Sequence, residues 1–340
     1  MNILQQHDIS EFSRTFPLTE NLDNRLFLIT GATGLIGSTL IHCLIALCKG
    51  IKVIAPVRNL QKALSLFSEE ELSYIKLIEC DVVSYEYDKV ENVDYIVHCA
   101  APTSSKFFVE HPVETFNVIY SGTKALLDYA SRHPVKGFVY LSSLEVYGEI
   151  YDDTKFVTED VQGYLDVMAV RSSYPMAKRA AENLCCLYAK EYDVPVMVAR
   201  LTQTTGVGID RSDNRIIAQF ARLASMGQDI ILHTKGESAR PYCYTTDAVS
   251  AILYILLRGK SGEAYNVANE ETYISARMLA EYLRDHFNTK IKVRVELNDN
   301  MGYAPATKQR LSVDKLRALG WCPKYDLYGI LEKIICYLKQ

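Results

Sequence analysis

The sequence has little that points towards nucleic acid, membrane or metal. Basic residues are outnumbered, with 37 Lys and Arg against 41 Asp and Glu and a formal net charge of −4. Such a balance provides no broad basic field for phosphate backbones or anionic lipid, so an anionic ligand would need a local site. No apolar run reaches the length of a membrane span, since the run from Leu40 to Leu47 is interrupted by His42 and closed by Lys49 and Gly50. The nine cysteines include no C-x-x-C pair and the seven histidines show no metal-ligand spacing. Buried thiols in a reducing cytoplasm are therefore expected, and no metal, zinc or disulfide. The opening MNILQQHDISEFSRTF lacks the basic start and apolar centre of a secretory signal. Internal repeats, low-complexity stretches and proline-rich linkers are also missing.

What remains is an ordinary globular composition, 49% hydrophobic and 23% charged, over a chain of 340 residues that can bury a large core. Residues 1–24 read as a polar, irregular extension lying on the surface. Strands are predicted over RLFLIT (25–30), KVIAPV (52–57), YIKLIEC (74–80), VDYIVHCA (93–100), KGFVYLSS (136–143) and VPVMVARL (194–201). Helical patterns separate them, with the later ones near 113–131 and 173–192. Continuous apolar strands alternating with helices predict an α/β, Rossmann-type doubly wound parallel sheet over 25–201. After residue 202 the pattern loosens, which predicts a smaller C-terminal α/β substrate lobe over 202–340. Segments around 240–268 are expected to return to the first domain.

GATGLIG places Gly31, Gly34 and Gly37 directly after a strand and at the opening of a helix. Glycine permits the tight turn and a close approach to a pyrophosphate, and the helix N-terminus offers free N–H groups. The spacing G-x-x-G-x-x-G differs from the usual G-x-G-x-x-G. An acidic residue ending the second strand would bind the ribose of NAD, but Val57 stands there and Arg58 follows, which favours NADP, with a solvated surface arginine as the competing reading. Asp81, after the third strand, is a candidate for the adenine edge or a plain turn residue.

Tyr174 and Lys178 lie four residues apart on a predicted helix and so share a face. A tyrosine with a pKa near ~10 is a poor base at neutral pH, but a neighbouring ammonium favours the phenolate. Ser143, ending the strand KGFVYLSS, could hydrogen-bond the reacting oxygen. A strand-end serine followed by Y-x-x-x-K, after a glycine turn, is a far more specific signal than any one of these parts.

At this point the chain resembles the extended short-chain dehydrogenase/reductases, the NAD-dependent epimerase/dehydratase family acting on nucleotide sugars. The resemblance runs from about Arg25 to the C-terminus. It rests on GATGLIG, VHCAA (97–101), the asparagine and glycine of FNVIYSGT (116–123), LSSLEVYGE (141–149), YPMAK, ARLTQTTG (199–206), RPYCYTTD (240–247), YNVAN (265–269) and LGWCPKYDL (319–327). LSSLEVYG is similar to T-D-E-V-Y-G of sugar-nucleotide 4,6-dehydratases and T-S-E-V-Y-G of UDP-glucuronate decarboxylases. Ser143 then matches the family Ser/Thr and Glu145 its acid/base glutamate, whereas Leu144 replaces the aspartate or serine. VRSSYPMAKR and DNRIIAQFARLA resemble the UDP-xylose synthase branch.

The resemblance implies catalysis by Ser143, Tyr174, Lys178 and Glu145. It adds Thr33, Leu35, Ile36, Val82, Ala100 and Ala101, together with Lys178, to the cofactor contacts. Thr103, Ser143, Arg171, Gln203, Arg215, Arg240 and Arg310 would face the substrate, Arg240 at its diphosphate. Asn117 would hold nearby backbone, and His98 reads as a structural residue. The expected reaction is oxidation at C4 of the sugar with bound NADP or NAD, followed by decarboxylation, dehydration or epimerisation. An NADPH-consuming reductase of a nucleotide-linked keto sugar or polyol precursor is the alternative, and a non-catalytic NADP-binding regulator a third reading. The helices near 113–131 and 173–192 would pair into a four-helix bundle in a homodimer, and surface polysaccharide assembly is the family's usual bacterial setting.

Overall fold

The structure is a computed structural model and describes residues 1–19, 21–298 and 306–340. Helix α1 (Ile3–Thr15) precedes strand β1 (Leu26–Thr30), helix α2 (Leu35–Leu47) and strand β2 (Lys52–Val57). Short helices α3 (Leu60–Leu66) and α4 (Glu69–Leu72) lead to β3 (Ile75–Glu79), and β4 (Tyr95–His98) follows. Next come α5 (Ser105–Glu110), α6 (Pro112–Arg132), β5 (Gly137–Ser143), α7 (Ser173–Glu191) and β6 (Val196–Leu201). The second half contributes β7 (Gln203–Thr205), α8 (Ile216–Met226), β8 (Ile230–Leu232), β9 (Ala239–Tyr244) and α9 (Thr245–Arg258). It continues through β10 (Ala264–Val267), β11 (Asn269–Ser275), α10 (Ala276–Phe287), β12 (Val293–Val295), α11 (Asp314–Arg317) and α12 (Leu327–Leu338).

Seven strands form one sheet in the order β10-β6-β5-β4-β1-β2-β3, every neighbour parallel. Its strands are apolar on both faces because both faces are covered. Phe27 and Ile29 of β1 point into one core, with α2 and α9, while Leu28 between them points into the other, with α6 and α7. That is the period-two alternation of a strand. The chain direction across the sheet reverses between β1 and β4, and in such sheets the crevice beyond the carboxyl ends at the reversal is where ligands bind. Smaller sheets, β11-β9-β7 and β12-β8, build a third core with α8, α10 and α12. Strand β10 returns to pair with β6 in the main sheet. Among the described residues no helix is long and apolar enough to cross a membrane.

The N-terminal segment departs from the sequence reading. Residues expected to be irregular form α1, opened by a capping box in which Asn2 accepts from the Gln5 N–H and Gln5 accepts in return. Ile9, Phe12 and Phe16 recur at helical spacing and are buried. Asp8 is also buried, with its carboxylate accepting from Tyr244 Oη and, at 2.6 Å, from Lys333 Nζ. The helix is thereby pinned to β9 and α12 as well as lying against α2 and α9.

Candidate active site

The carboxyl edge of the sheet gathers most of the residues singled out above. Gly31, directly after β1, has φ +69°, and a Cβ there would stand 2.8 Å from the backbone of Cys99 and Ala100 after β4. A Cβ on Gly37 would come within 2.3 Å of the Gly31 carbonyl oxygen. Only glycine allows both the turn and this closeness. Gly34 caps α2 without a side chain, so the first-turn N–H groups around Leu35 and Ile36 remain available to an anion, with Thr33 half-buried beside them. Glycines, a bare helix start and a crevice at the sheet reversal fit a dinucleotide pyrophosphate.

Around that turn, Val57 is buried at the end of β2 and Arg58 is exposed, with no side-chain partner among the described residues. Asn59 caps α3 by accepting from the Lys62 N–H. Asp81 is exposed and accepts from the Val83 N–H at 2.7 Å, a local turn bond. Val82 is buried, its side chain turned towards Gly122 of α6. Ala100 and Ala101 are half-buried after β4, and Thr103 is exposed before α5. His98 shares its Nδ1 with the Thr30 hydroxyl at 2.6 Å, and burial pushes it down to about 3, so it is a neutral structural group.

Ser143 ends β5 and caps the turn Leu144–Tyr147 that follows, its Oγ accepting from the Glu145 N–H at 3.2 Å. The hydroxyl hydrogen of Ser143 is left for another acceptor. Tyr174 and Lys178 come from the first turns of α7, both buried. Lys178 Nζ donates to the Leu141 carbonyl of β5 at 2.6 Å and stands 4.8 Å from the centre of the Tyr140 ring and 5.8 Å from that of Tyr174. Burial lowers Lys178 to about 8. Burial raises the Tyr174 phenol and the Glu145 carboxylate raises it further, while Ser143, Arg171 and Arg215 pull it down. Lys178 stands beside the Tyr174 ring, where a charged ammonium would favour the phenolate. Its ammonium donates to a strand carbonyl, and the two arginines add positive charge near the phenol.

Glu145 is bound by Arg171, whose Nη2 donates to both carboxylate oxygens at 3.1 and 3.0 Å. The Arg171 guanidinium lies over the Phe108 ring, and Phe108 stacks on Tyr174 with centroids 4.2 Å apart. Leu144, between Ser143 and Glu145, is buried in the core. Arg215 is held by Asp213 at 2.6 Å and by the Thr204 carbonyl at 3.0 Å. Gln203 keeps a buried Oε1 without a hydrogen-bond partner among the described residues, an acceptor that a bound donor would satisfy. Arg240 on β9 is half-buried with no side-chain hydrogen bond or ion pair among the described residues, and Arg310 lies over the Phe156 ring at 4.4 Å. Asn117 is exposed and accepts from Ser121 on its own helix, not from neighbouring backbone.

The NAD dependent epimerase/dehydratase family model matches residues 27–268. The chain belongs to this family. UDP-glucuronic acid decarboxylase 1 of Danio rerio is 27% identical over 340 residues, covering 97% of this chain and 77% of that protein. dTDP-D-glucose 4,6-dehydratase of Homo sapiens is 27% identical over 325 residues, covering 92% of this chain and 89% of that protein. Among solved structures, UDP-glucuronic acid 4-epimerase from Bacillus cereus, in complex with UDP-glucuronic acid and NAD, superposes with a TM-score of 0.78 at 20% identity, covering 93% of this chain and 99% of that one. Relatives of this epimerase/dehydratase chain are thus nucleotide-sugar decarboxylases, dehydratases and epimerases.

Within that family setting, sequence reasoning passed over the groups that hold the site together. Phe108 carries no motif, yet it lies between Arg171 and Tyr174. Arg179, the residue after Lys178, donates to the Val146 and Gly163 carbonyls at 2.7 and 2.9 Å and so anchors the segment after β5. Arg200 of β6 pairs with Glu182 of α7 at 2.7 Å and bonds Tyr147 Oη, which donates to Asn266 of β10. Their advance signals were the arginine directly following the motif lysine and the motifs LSSLEVYGE, ARLTQTTG and YNVAN that contain Tyr147, Arg200 and Asn266, whereas Phe108 had none.

Proposed function

We propose that the protein is an NAD(P)-dependent enzyme that oxidises a nucleotide-diphosphate sugar at C4 and then decarboxylates, dehydrates or epimerises it. The observation that carries this reading is the convergence of Ser143, Tyr174 and Glu145 at the end of β5, beside the glycine turn. A bound nicotinamide supplies a reversible hydride acceptor and, when oxidised, a positive charge. Tyr174, acting as the phenolate, takes the proton of the C4 hydroxyl at Oη, and the Ser143 hydroxyl steadies the same oxygen. Lys178 would hold the cofactor ribose. The carbonyl formed at C4 acidifies C5, or permits loss of carbon dioxide from a C6 carboxylate, and Glu145 moves the second proton. Arg240 and Arg310, neither held by a carboxylate, suit a diphosphate through charge-assisted hydrogen bonds. Residues 25–201 form the cofactor domain in this reading and 202–340 the substrate lobe, with 240–268 returning to the first.

Exposed Arg58 supports NADP over NAD and, with Leu144 buried away from the site, supports the second reading of an NADPH-consuming reductase. Exposed Val113 and Phe116 on α6 and Leu187 on α7 suit a four-helix homodimer contact. The deciding experiment is product mass after incubation with UDP-, dTDP-, GDP- and CDP-sugars, each cofactor supplied separately. Loss of carbon dioxide or water, or altered stereochemistry at constant mass, supports the internally recycling reaction. A gain of two hydrogens with stoichiometric NADPH oxidation would replace it with the reductase.

A further inference from the structure

A cavity of about 190 Å³ lies between α1, α9 and residues 320–325. It borders the core on the α2 and α9 side of the main sheet, whereas Tyr174 sits in the core on the other face. Among the described residues, none assigned to the candidate active site lines it. Aromatic rings form much of its wall. Phe12 and Phe16 come from α1 and its end, Tyr254 from α9, and Trp321 and Tyr325 from the C-terminal segment.

Two carboxylates share that wall. Asp247 is only 2% exposed; one of its oxygens accepts from the Lys324 and Tyr325 N–H groups, and the other has no hydrogen-bond partner among the described residues. Glu11 accepts from Tyr325 Oη at 2.9 Å. Neither carboxylate has an ion pair among the described residues. Lys324 also lines the cavity, but its ammonium donates to Thr15 Oγ1. Burial raises Asp247 to about 6; the two N–H bonds and the Lys324 charge oppose this without cancelling it, and Glu11 adds to the rise. A buried carboxylate without a counter-charge is costly, so a cation placed here would relieve it.

Neighbouring Asp8 shows how this chain compensates such a charge. Lys333 Nζ donates to it at 2.6 Å while standing 5.1 Å from the centre of the Tyr325 ring and 5.9 Å from that of Tyr244. A carboxylate and ring faces together suit an ammonium. Asp247, Glu11 and the surrounding rings repeat that combination, and no ammonium of the chain pairs with them. Calcium or magnesium would need about six oxygens, which a wall made largely of rings does not supply. An anion would meet two carboxylates, and a neutral ligand would leave the charge of Asp247 uncompensated.

We propose that this cavity binds a small organic ammonium ion, its nitrogen held by Asp247 and Glu11 and its hydrocarbon part packed on Phe12, Phe16 and Trp321. A cavity of about 150 Å³ is enough for benzene, so a six-membered ring bearing an ammonium fits the space. The site is independent of the nucleotide-sugar reading and stands even if that reading fails.

Trp321 is the only tryptophan of the chain, so tryptophan fluorescence reports on this cavity. Cyclohexylammonium titrated into the purified protein at about pH 8, where the amine and Asp247 are both charged, should change that emission saturably. Cyclohexanol, similar in shape without the charge, should bind at least about 10-fold more weakly. Asp247→Asn keeps an acceptor for the Lys324 and Tyr325 N–H groups and should bring the two probes to within about 2-fold of each other. Should that variant fail to fold, Glu11→Gln decides: it should weaken cyclohexylammonium by at least about 3-fold and leave cyclohexanol within about 2-fold. A response that does not saturate, equal affinity for the two probes in the parent, or a preference that the deciding variant leaves intact overturns the proposal and assigns the cavity to water.

Discussion

Tyr174 and Lys178 bring opposite electrostatic problems to one buried site. Burial and Glu145 raise the phenol, while Ser143, Arg171 and Arg215 oppose them, and in the proposed reaction further positive charge would favour its ionisation. Tyr174→Phe should reduce turnover by at least about 100-fold while leaving cofactor binding intact, as separate assays of product and NAD(P) fluorescence would show. Lys178, lowered to about 8, is charged below that pH in the free protein and neutral above it. If its charge is required, kcat/KM should fall above about pH 8. A profile level to about pH 9.5 would remove Lys178 charge from the mechanism. At this scale the sequence was most legible where the signal is local. Tyr174 and Lys178 share a face because four residues are one helical turn. The Glu145–Arg171–Phe108 cluster was not legible, because its members come from three segments that meet only when α5 and α7 pack together.

Helix α1 shows the same limit at the scale of an element. Its apolar residues are few and diluted by Gln, His, Ser and Arg, so the segment looks irregular, yet Ile9, Phe12 and Phe16 fall on one side and fill a seam against α2 and α9. Phe12 stacks on Phe16, centroids 5.2 Å apart, and a cavity of about 190 Å³ already lies beside them. Phe12→Ala should therefore cost about 3 kcal/mol, towards the lower end for a buried phenylalanine, measured by urea denaturation. Because α1 packs on α2, whose first turn is the proposed pyrophosphate site, deletion of residues 1–16 should weaken NAD(P) binding as well as stability. Unchanged cofactor affinity in a folded truncation would separate the two. The Asn2 and Gln5 capping box was the readable signal, and it marks where a helix starts without showing what the helix covers.

Across the whole molecule, Asp247 ties the first turn of α9 to the C-terminal segment. One carboxylate oxygen accepts from the Lys324 and Tyr325 N–H groups at 3.0 and 3.1 Å, and Trp321 Nε1 donates to Ser250 Oγ at 2.8 Å nearby. Burial raises Asp247 to about 6, Glu11 adding to it. A folded value above the ordinary ~3.9 means the folded state holds the proton more tightly than the unfolded chain. This group's contribution to stability should thus fall as pH rises from about 4 to about 6, by on the order of 3 kcal/mol, and stay level above. Asp247→Asn keeps the acceptor oxygen and removes the titration, so its stability relative to the parent should rise through that window in pH-dependent denaturation. A constant difference would exclude Asp247 as the titrating group.

By itself the sequence determined the parallel sheet, the glycine turn and the Ser143, Tyr174 and Lys178 set, because each depends on short-range periodicity, backbone freedom or helical spacing. It also provided no broad basic field, so an anionic ligand would need a local site. Only the tertiary structure decided that α1 is a helix burying one face, that Lys178 faces Leu141, and that Arg171 stands between Glu145 and Phe108. Those are contacts between segments distant in the chain, and their energies arise from burial and charge pairing that exist only once the layers close.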